Sequence, residues 1–175
     1  MLREAVPRLA TVAFLTPRLS WEGRFGVVMR SMAQEVGVTA VGATLNAPIN
    51  EAEYESACAG LLRNRPETLI VTDHAENYVN QRAIVKLAAD ARLPAIYPFR
   101  EAVAAGGLLA YSADVSDIHR QVASYIDRIL RGEKPADLPI QQPTKFQLGV
   151  NLKTAKTLGL TIPPSLLLRA DQVIE

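Results

Sequence analysis

Side chains able to do chemistry cluster in five short stretches, each at or just past the end of an apolar run. They are Thr16-Pro17-Arg18-Leu19-Ser20, Asn46-Ala47-Pro48-Ile49-Asn50, Asp73-His74-Ala75-Glu76-Asn77, Pro98-Phe99-Arg100-Glu101 and Ser112-Ala113-Asp114. They offer hydroxyls, amides, aromatic rings and a few charges, a mixture that suits holding a small polar or amphipathic ligand. The candidate ligand-binding residues are Thr16, Asp73, His74, Phe99, Arg100 and Tyr111. Asp73 and His74 supply polar contact, Phe99 stacks on a flat ligand, and Arg100 receives a carboxylate through its planar fork. Each also has a purely structural reading. Ser20, Asn50, Asn77 and Asp114 fit helix N-caps, Arg100 fits a local pair with Glu101 or Asp73, and His74 fits an exposed loop residue without a role.

Patterns for bond-making are absent. No G-x-S-x-G elbow, no G-x-x-x-x-G-K-S/T phosphate loop and no G-x-G-x-x-G after the first apolar run occur. The two histidines, His74 and His119, lie far apart, and a metal site needs more ligands than they supply. Cys58 falls on the apolar face of a helix as an inert thiol. A phosphoacceptor reading of Asp73 lacks the acidic cluster after the first strand, where Phe14-Leu15-Thr16-Pro17-Arg18 stands. It also lacks a lysine after the fifth strand, where Ser112 stands. An enzyme on a flavodoxin-like scaffold needs a base and a nucleophile in one loop cluster, and no such set is present. The expectation is therefore no catalytic residue, no metal and no cofactor.

The elements that position these loops alternate. Strands are expected at Thr11–Leu15, Val38–Leu45, Thr68–Thr72, Pro94–Tyr97, Gly107–Tyr111 and Phe146–Val150. Several are nearly continuous apolar runs, as in parallel strands covered on both faces. A first helix is expected over Trp21–Val36, capped by Ser20 and stopped by Gly37, with Phe25, Val28, Met29, Met32 and Val36 on one face. A second starts at Asn50 with Glu53 three residues on, a capping-box-like pair, and turns Tyr54, Cys58, Leu61 and Leu62 inward. A third starts near Asn77 and packs through Val79, Ala83, Ile84 and Leu87. A fourth spans Ser116–Arg131, ends at Gly132, and carries the stripe Ile118, Val122, Tyr125, Ile126, Ile129 and Leu130. A short helix follows Asn151 and ends at Gly159, and Pro163-Pro164-Ser165 introduces a last helical turn. Residues 133–145, with three prolines and little periodicity, read as an extended connector. Strand–helix repetition of this kind implies an α/β fold with a doubly wound, mostly parallel sheet and ligand sites outside the carboxyl ends of the strands.

Size and charge set the outer bounds. The chain has 175 residues, 49% apolar and 21% charged, with a net charge of +1. That fits one domain or one lobe of a larger assembly. Near-neutral charge gives no electrostatic reason to expect nucleic acid or an anionic membrane as partner. One cysteine permits no internal disulfide, no apolar run of signal-peptide length follows Met1–Pro7, and no stretch approaches a membrane span.

Several segments together resemble one family. They are Leu93-Pro94-Ala95-Ile96-Tyr97, Phe99-Arg100-Glu101, Ala105-Gly106-Gly107-Leu108-Leu109-Ala110-Tyr111-Ser112, Tyr125-Ile126-Asp127-Arg128-Ile129-Leu130-Arg131-Gly132, Lys134-Pro135-Ala136-Asp137-Leu138-Pro139, Gln142-Pro143-Thr144-Lys145-Phe146, Asn151-Leu152-Lys153-Thr154-Ala155-Lys156 and Leu158-Gly159-Leu160-Thr161-Ile162-Pro163-Pro164-Ser165. The end, Arg169-Ala170-Asp171-Gln172-Val173-Ile174-Glu175, fits as well. In these the chain is similar to the ABC-transporter substrate-binding proteins with a type I periplasmic-binding fold, which include tryptophan- and aromatic-amino-acid-binding members. The resemblance is looser over the first 90 residues.

The resemblance implies a two-lobed clamp of which this chain matches the C-terminal lobe, as a truncated product or as a natural single lobe. It implies a small amino-acid-like or organic solute, an ABC permease as partner, and a periplasmic or lipid-anchored extracytoplasmic setting. By the same analogy residues 1–175 form one lobe, with the helix within 114–132 packing outside it. Residues 133–145 then return as a connector, and 146–175 supply the final strand and short helices. The apolar stripe of that helix leads to an expected homodimer through residues 116–131. A ligand-sensing module of a regulator or sensor is the alternative from another class.

Overall fold

The computed structural model describes residues 1–175, with the side chains of residues 62–64 left aside; Leu62, expected on the inner face of the second helix, lies outside the described side chains. Seven strands form one sheet in the order β2-β1-β3-β4-β5-β6-β7. They are β1 (Thr11–Pro17), β2 (Thr39–Leu45), β3 (Thr68–Val71), β4 (Ala95–Tyr97), β5 (Leu109–Ala113), β6 (Phe146–Asn151) and β7 (Gln172–Ile174). All neighbours pair in parallel except β5 and β6, which run antiparallel with Ala113 opposite Phe146.

The helices are α1 (Leu2–Ala5), α2 (Arg18–Glu22), α3 (Arg24–Glu35), α4 (Glu51–Asn64), α5 (Ala75–Val79), α6 (Gln81–Asp90), α7 (Glu101–Ala104), α8 (Val115–Leu130), α9 (Leu152–Thr157) and α10 (Pro164–Leu167). Alternation along the strands divides the core by face. Ala13, Leu15, Leu45, Leu69, Val71, Ala95, Tyr97 and Ala110 turn to α4, α6 and α7, where Tyr54, Leu61, Ile84, Val85 and Val103 are buried. On the other face Val12 and Phe14 meet Met29 of α3, while Leu109, Leu148 and Val150 meet α1, α9 and α10. The chain thus leaves β1 over one face to reach β2 and returns over the other face to β3. The strand order reverses between β1 and β3, where open α/β sheets form ligand crevices.

Local ends follow the expected chemistry in part. The Asn50, Asp114 and Asn151 side chains accept the backbone N–H of Glu53, Asp117 and Thr154. Gly37, Gly132 and Gly159 stop helices at positive φ (69°, 101° and 69°), where glycine carries no Cβ penalty. The first helix corrects the expectation. It is two pieces broken at Gly23, and Ser20 lies inside α2 rather than capping it. The break lets α3 approach closely: a Cβ on Gly26 would stand 1.8 Å from the Trp21 carbonyl oxygen. Asn77 does not start a helix either; it is buried inside α5, and α6 begins at Gln81. The Asn50/Glu53 pair is half a capping box, because the Glu53 carboxylate instead accepts from the Asn46 backbone and side-chain amides at 2.6 and 2.7 Å.

Helix α8 stands apart. Asp117 is its one buried residue, while Val115, Val122, Ile126, Ile129 and Leu130 are exposed. Residues 133–145 hold a 3-10 turn at Pro135–Asp137 and return along α8, with the Tyr125 hydroxyl donating to the Pro139 carbonyl. The base of this arm is pinned where Lys145 meets the Asp117 carboxylate at 2.8 Å.

Candidate functional site

Strands β1 to β5 all point their carboxyl ends to one edge, and antiparallel β6 contributes its first residue, Phe146, to the same edge. A groove of about 440 Å³ opens there on the α3 face. Phe14, Ile70 and Ile96 form its floor, Phe25 and Met29 of α3 one wall, and Tyr111 the other, with Thr72, Asp73 and Pro98 on the rim. The Tyr111 ring stacks on Phe146 with centroids 5.4 Å apart and planes 12° apart. Both rings stay nearly half exposed, at 42% and 47%. An apolar, aromatic-walled concavity with few polar groups is the usual form of a small-molecule site.

A buried polar knot holds the rim. Asn77, 1% exposed, donates through Nδ2 to the Thr72 carbonyl at 2.9 Å and the Leu15 carbonyl at 3.3 Å. Its Oδ1 accepts from the Tyr54 hydroxyl at 3.0 Å, and the Thr72 hydroxyl donates to the Leu15 carbonyl at 2.8 Å. The knot ties β1, β3, α4 and α5 together directly beneath Asp73. Burial pushes the Tyr54 phenol up to about 12, so it stays a neutral donor. A second chain of contacts crosses the neighbouring loops: Arg18 Nε donates to Asn46 Oδ1 at 2.5 Å and its Nη1 reaches Glu22 at 3.4 Å.

The six residues named from the sequence separate in space. Asp73 and Tyr111 line the groove. His74 follows Asp73 as the N-cap residue of α5 without a side-chain cap bond. Phe99 packs edge-on against Tyr78, centroids 4.8 Å apart. Arg100 turns to the opposite face of the sheet. There it lines a separate cleft with Gln147 and Asp171, pairs with Glu101 at 3.6 Å and reaches Gln147 at 3.5 Å. Thr16 is fully buried, and its hydroxyl has no partner among the described residues. Phe14, Phe25, Thr72 and Phe146 were not among the candidates. Phe25 and Met29 share the helical stripe that marks them, but Phe146 enters only through antiparallel register.

Among the described residues no group of His, Cys, Asp and Glu side chains is placed to hold a metal. Cys58 is half-buried, and burial raises its thiol. Among the described residues no helix is long and apolar enough to cross a membrane.

Known structures share this fold. A conserved domain protein from Vibrio cholerae superposes with a TM-score of 0.82 at 21% identity, covering 98% of this chain and 57% of its own. A Streptococcus pneumonia ABC domain in complex with L-Trp matches with a TM-score of 0.82 at 22% identity, covering 99% of this chain and 58% of its own. A ligand-free, open substrate binding protein with adhesive properties from Clostridium difficile matches at 0.72 and 17% identity, with 99% and 57% covered. The chain thus spans less than two thirds of these proteins, as one lobe of their fold does. Among curated proteins none matches significantly. The ABC transporter substrate binding protein model matches residues 6–174, and this chain belongs to that family.

Proposed function

We propose that this chain is the C-terminal lobe of a solute-binding component of an ABC importer, and that it captures a small amino-acid-like or organic solute at the strand carboxyl edge. The observation that carries this reading is the aromatic groove floored by Phe14 and walled by Phe25 and Tyr111 at the reversal of strand order, with Thr72 and Asp73 on its rim. The work done there is capture, not chemistry. Closure of a second lobe over the edge completes the contact surface, and the closed form is what a permease recognises. His74 and Phe99 follow the groove residues Asp73 and Pro98 in the chain, which supports a contact with such a lobe. Arg100 and Thr16 contact solute only if closure reorients them.

The bare stripe of Val122, Ile126, Ile129 and Leu130 supports association of two copies through residues 116–131. The test of solute capture is a thermal-shift screen against amino acids and small organic acids and amines. A ligand at ten times its Kd stabilises the folded state by about 1.4 kcal/mol, which raises Tm by about 3–6 °C for a chain of this size. Absence of a shift from every compound at millimolar concentration would refute solute capture by this lobe.

A further inference from the structure

We propose that the groove selects a small organic cation, an amine carried on an aromatic or branched apolar body, over an anion of the same shape. This deepens the solute-capture reading and rests on it. Among the described residues lining the groove, Asp73 is the one with a charged side chain, and the Met1 amino group, which also lines it, is paired with Glu4 at 2.8 Å. The Asp73 carboxylate is exposed and has no ion pair or side-chain hydrogen bond among the described residues. Three nearby cations are engaged elsewhere. Arg100 sits on the other face of the sheet against Glu101 and Gln147. Arg18 is held by Asn46 and Glu22. Arg30 covers the Trp21 ring at 4.9 Å and donates to the Trp21 carbonyl. An anion entering the groove thus meets an unpaired carboxylate, and the one ammonium there is already held by Glu4. An ammonium meets the Asp73 carboxylate in a groove lined by the aromatic rings of Phe14, Phe25 and Tyr111, a ring type that attracts cations through its quadrupole.

The test is an amide chemical-shift titration of the ¹⁵N-labelled chain with 2-phenylethylamine, 2-phenylethanol and 3-phenylpropionate, which share one apolar body. The expected result is perturbation of the amides around Thr72, Asp73 and Tyr111. The amine should bind about tenfold tighter than the carboxylate, the size set by one partly exposed charge pair gained or opposed. Asp73→Asn should bring amine and carboxylate within about twofold of each other, its own spectrum serving as the check on folding. Equal or tighter binding of the carboxylate at the same amides would overturn the cation preference and leave the site standing. A preference that survives in Asp73→Asn would overturn the role of Asp73. Perturbation elsewhere, or none with any of the three, would overturn both the preference and the site beneath it.

Discussion

Replacing Asn77 with leucine tests the knot that holds the groove rim. The two side chains are of similar size, so the change removes hydrogen bonds with little change in volume. The Leu15 carbonyl keeps the Thr72 hydroxyl at 2.8 Å, and the Thr72 carbonyl keeps the His74 amide at 3.0 Å. The Tyr54 hydroxyl, fully buried, loses its partner. A buried hydroxyl left unpaired costs about 1–3 kcal/mol, and the weakened carbonyls add about 0.5–1 kcal/mol. Asn77→Leu should therefore destabilise by about 2–4 kcal/mol. Tyr54→Phe strands the Asn77 Oδ1 instead and should cost about 1–2 kcal/mol. The double variant leaves neither end of that bond unpaired, so its cost should fall short of the sum by about 1 kcal/mol. Urea unfolding followed by circular dichroism and by the fluorescence of Trp21, the sole tryptophan, measures all three. A cost below about 1 kcal/mol for Asn77→Leu, or strictly additive costs, would refute the knot.

Three further outcomes follow from the same structure. Lys145 and Gln121 hold the Asp117 carboxyl down to about 2. Its folded pKa is thus below the ordinary value of 3.8, so its contribution is fully present above about pH 4 and lost as pH falls toward 2. Carboxyl chemical shifts should give a midpoint near 2 that rises in Lys145→Met, and a midpoint near 4 in the parent chain would contradict the pin. Gly42→Ala would set a Cβ 2.5 Å from the Trp21 indole nitrogen, so it should displace the ring, shift its fluorescence and cost about 1–3 kcal/mol; an unchanged spectrum would contradict the packing. Light scattering should report a dimer that Val122→Glu with Ile126→Glu converts to monomer, and a parent chain that is monomeric throughout would end the α8 interface.

The alternation of apolar runs and helices made the parallel sheet legible, because strands covered on both faces are apolar almost throughout. The caps Asn50 and Asp114 were legible because they act within four residues, whereas Ser20 and Asn77 fall inside helices. What depended on distant contacts was not. The break at Gly23 serves the approach of Gly26 to Trp21, which no periodicity records. Strand β5 starts two residues later than its apolar run, since Gly107 packs under the Tyr97 ring, where a Cβ would stand 2.6 Å away. Strand β7 is three residues long and exists through its pairing with β6. Asp73 and Tyr111 fell together because Asp73 follows the carboxyl end of β3 and Tyr111 stands in β5 on the same side of the sheet edge. Arg100 fell on the other face because α7 begins one residue later and turns the chain across the sheet edge.

The most direct test of solute capture at the strand carboxyl edge is a map of the amides that move when a mixture of amino acids, or the solute found by thermal shift, is titrated into the labelled chain. The account predicts movement confined to residues 25–29, 72–74, 98–99 and 111–112, around the groove at that edge. Movement confined to the opposite edge, around residues 37–38, 66–67 and 92–94, or none at saturating solute, would contradict it.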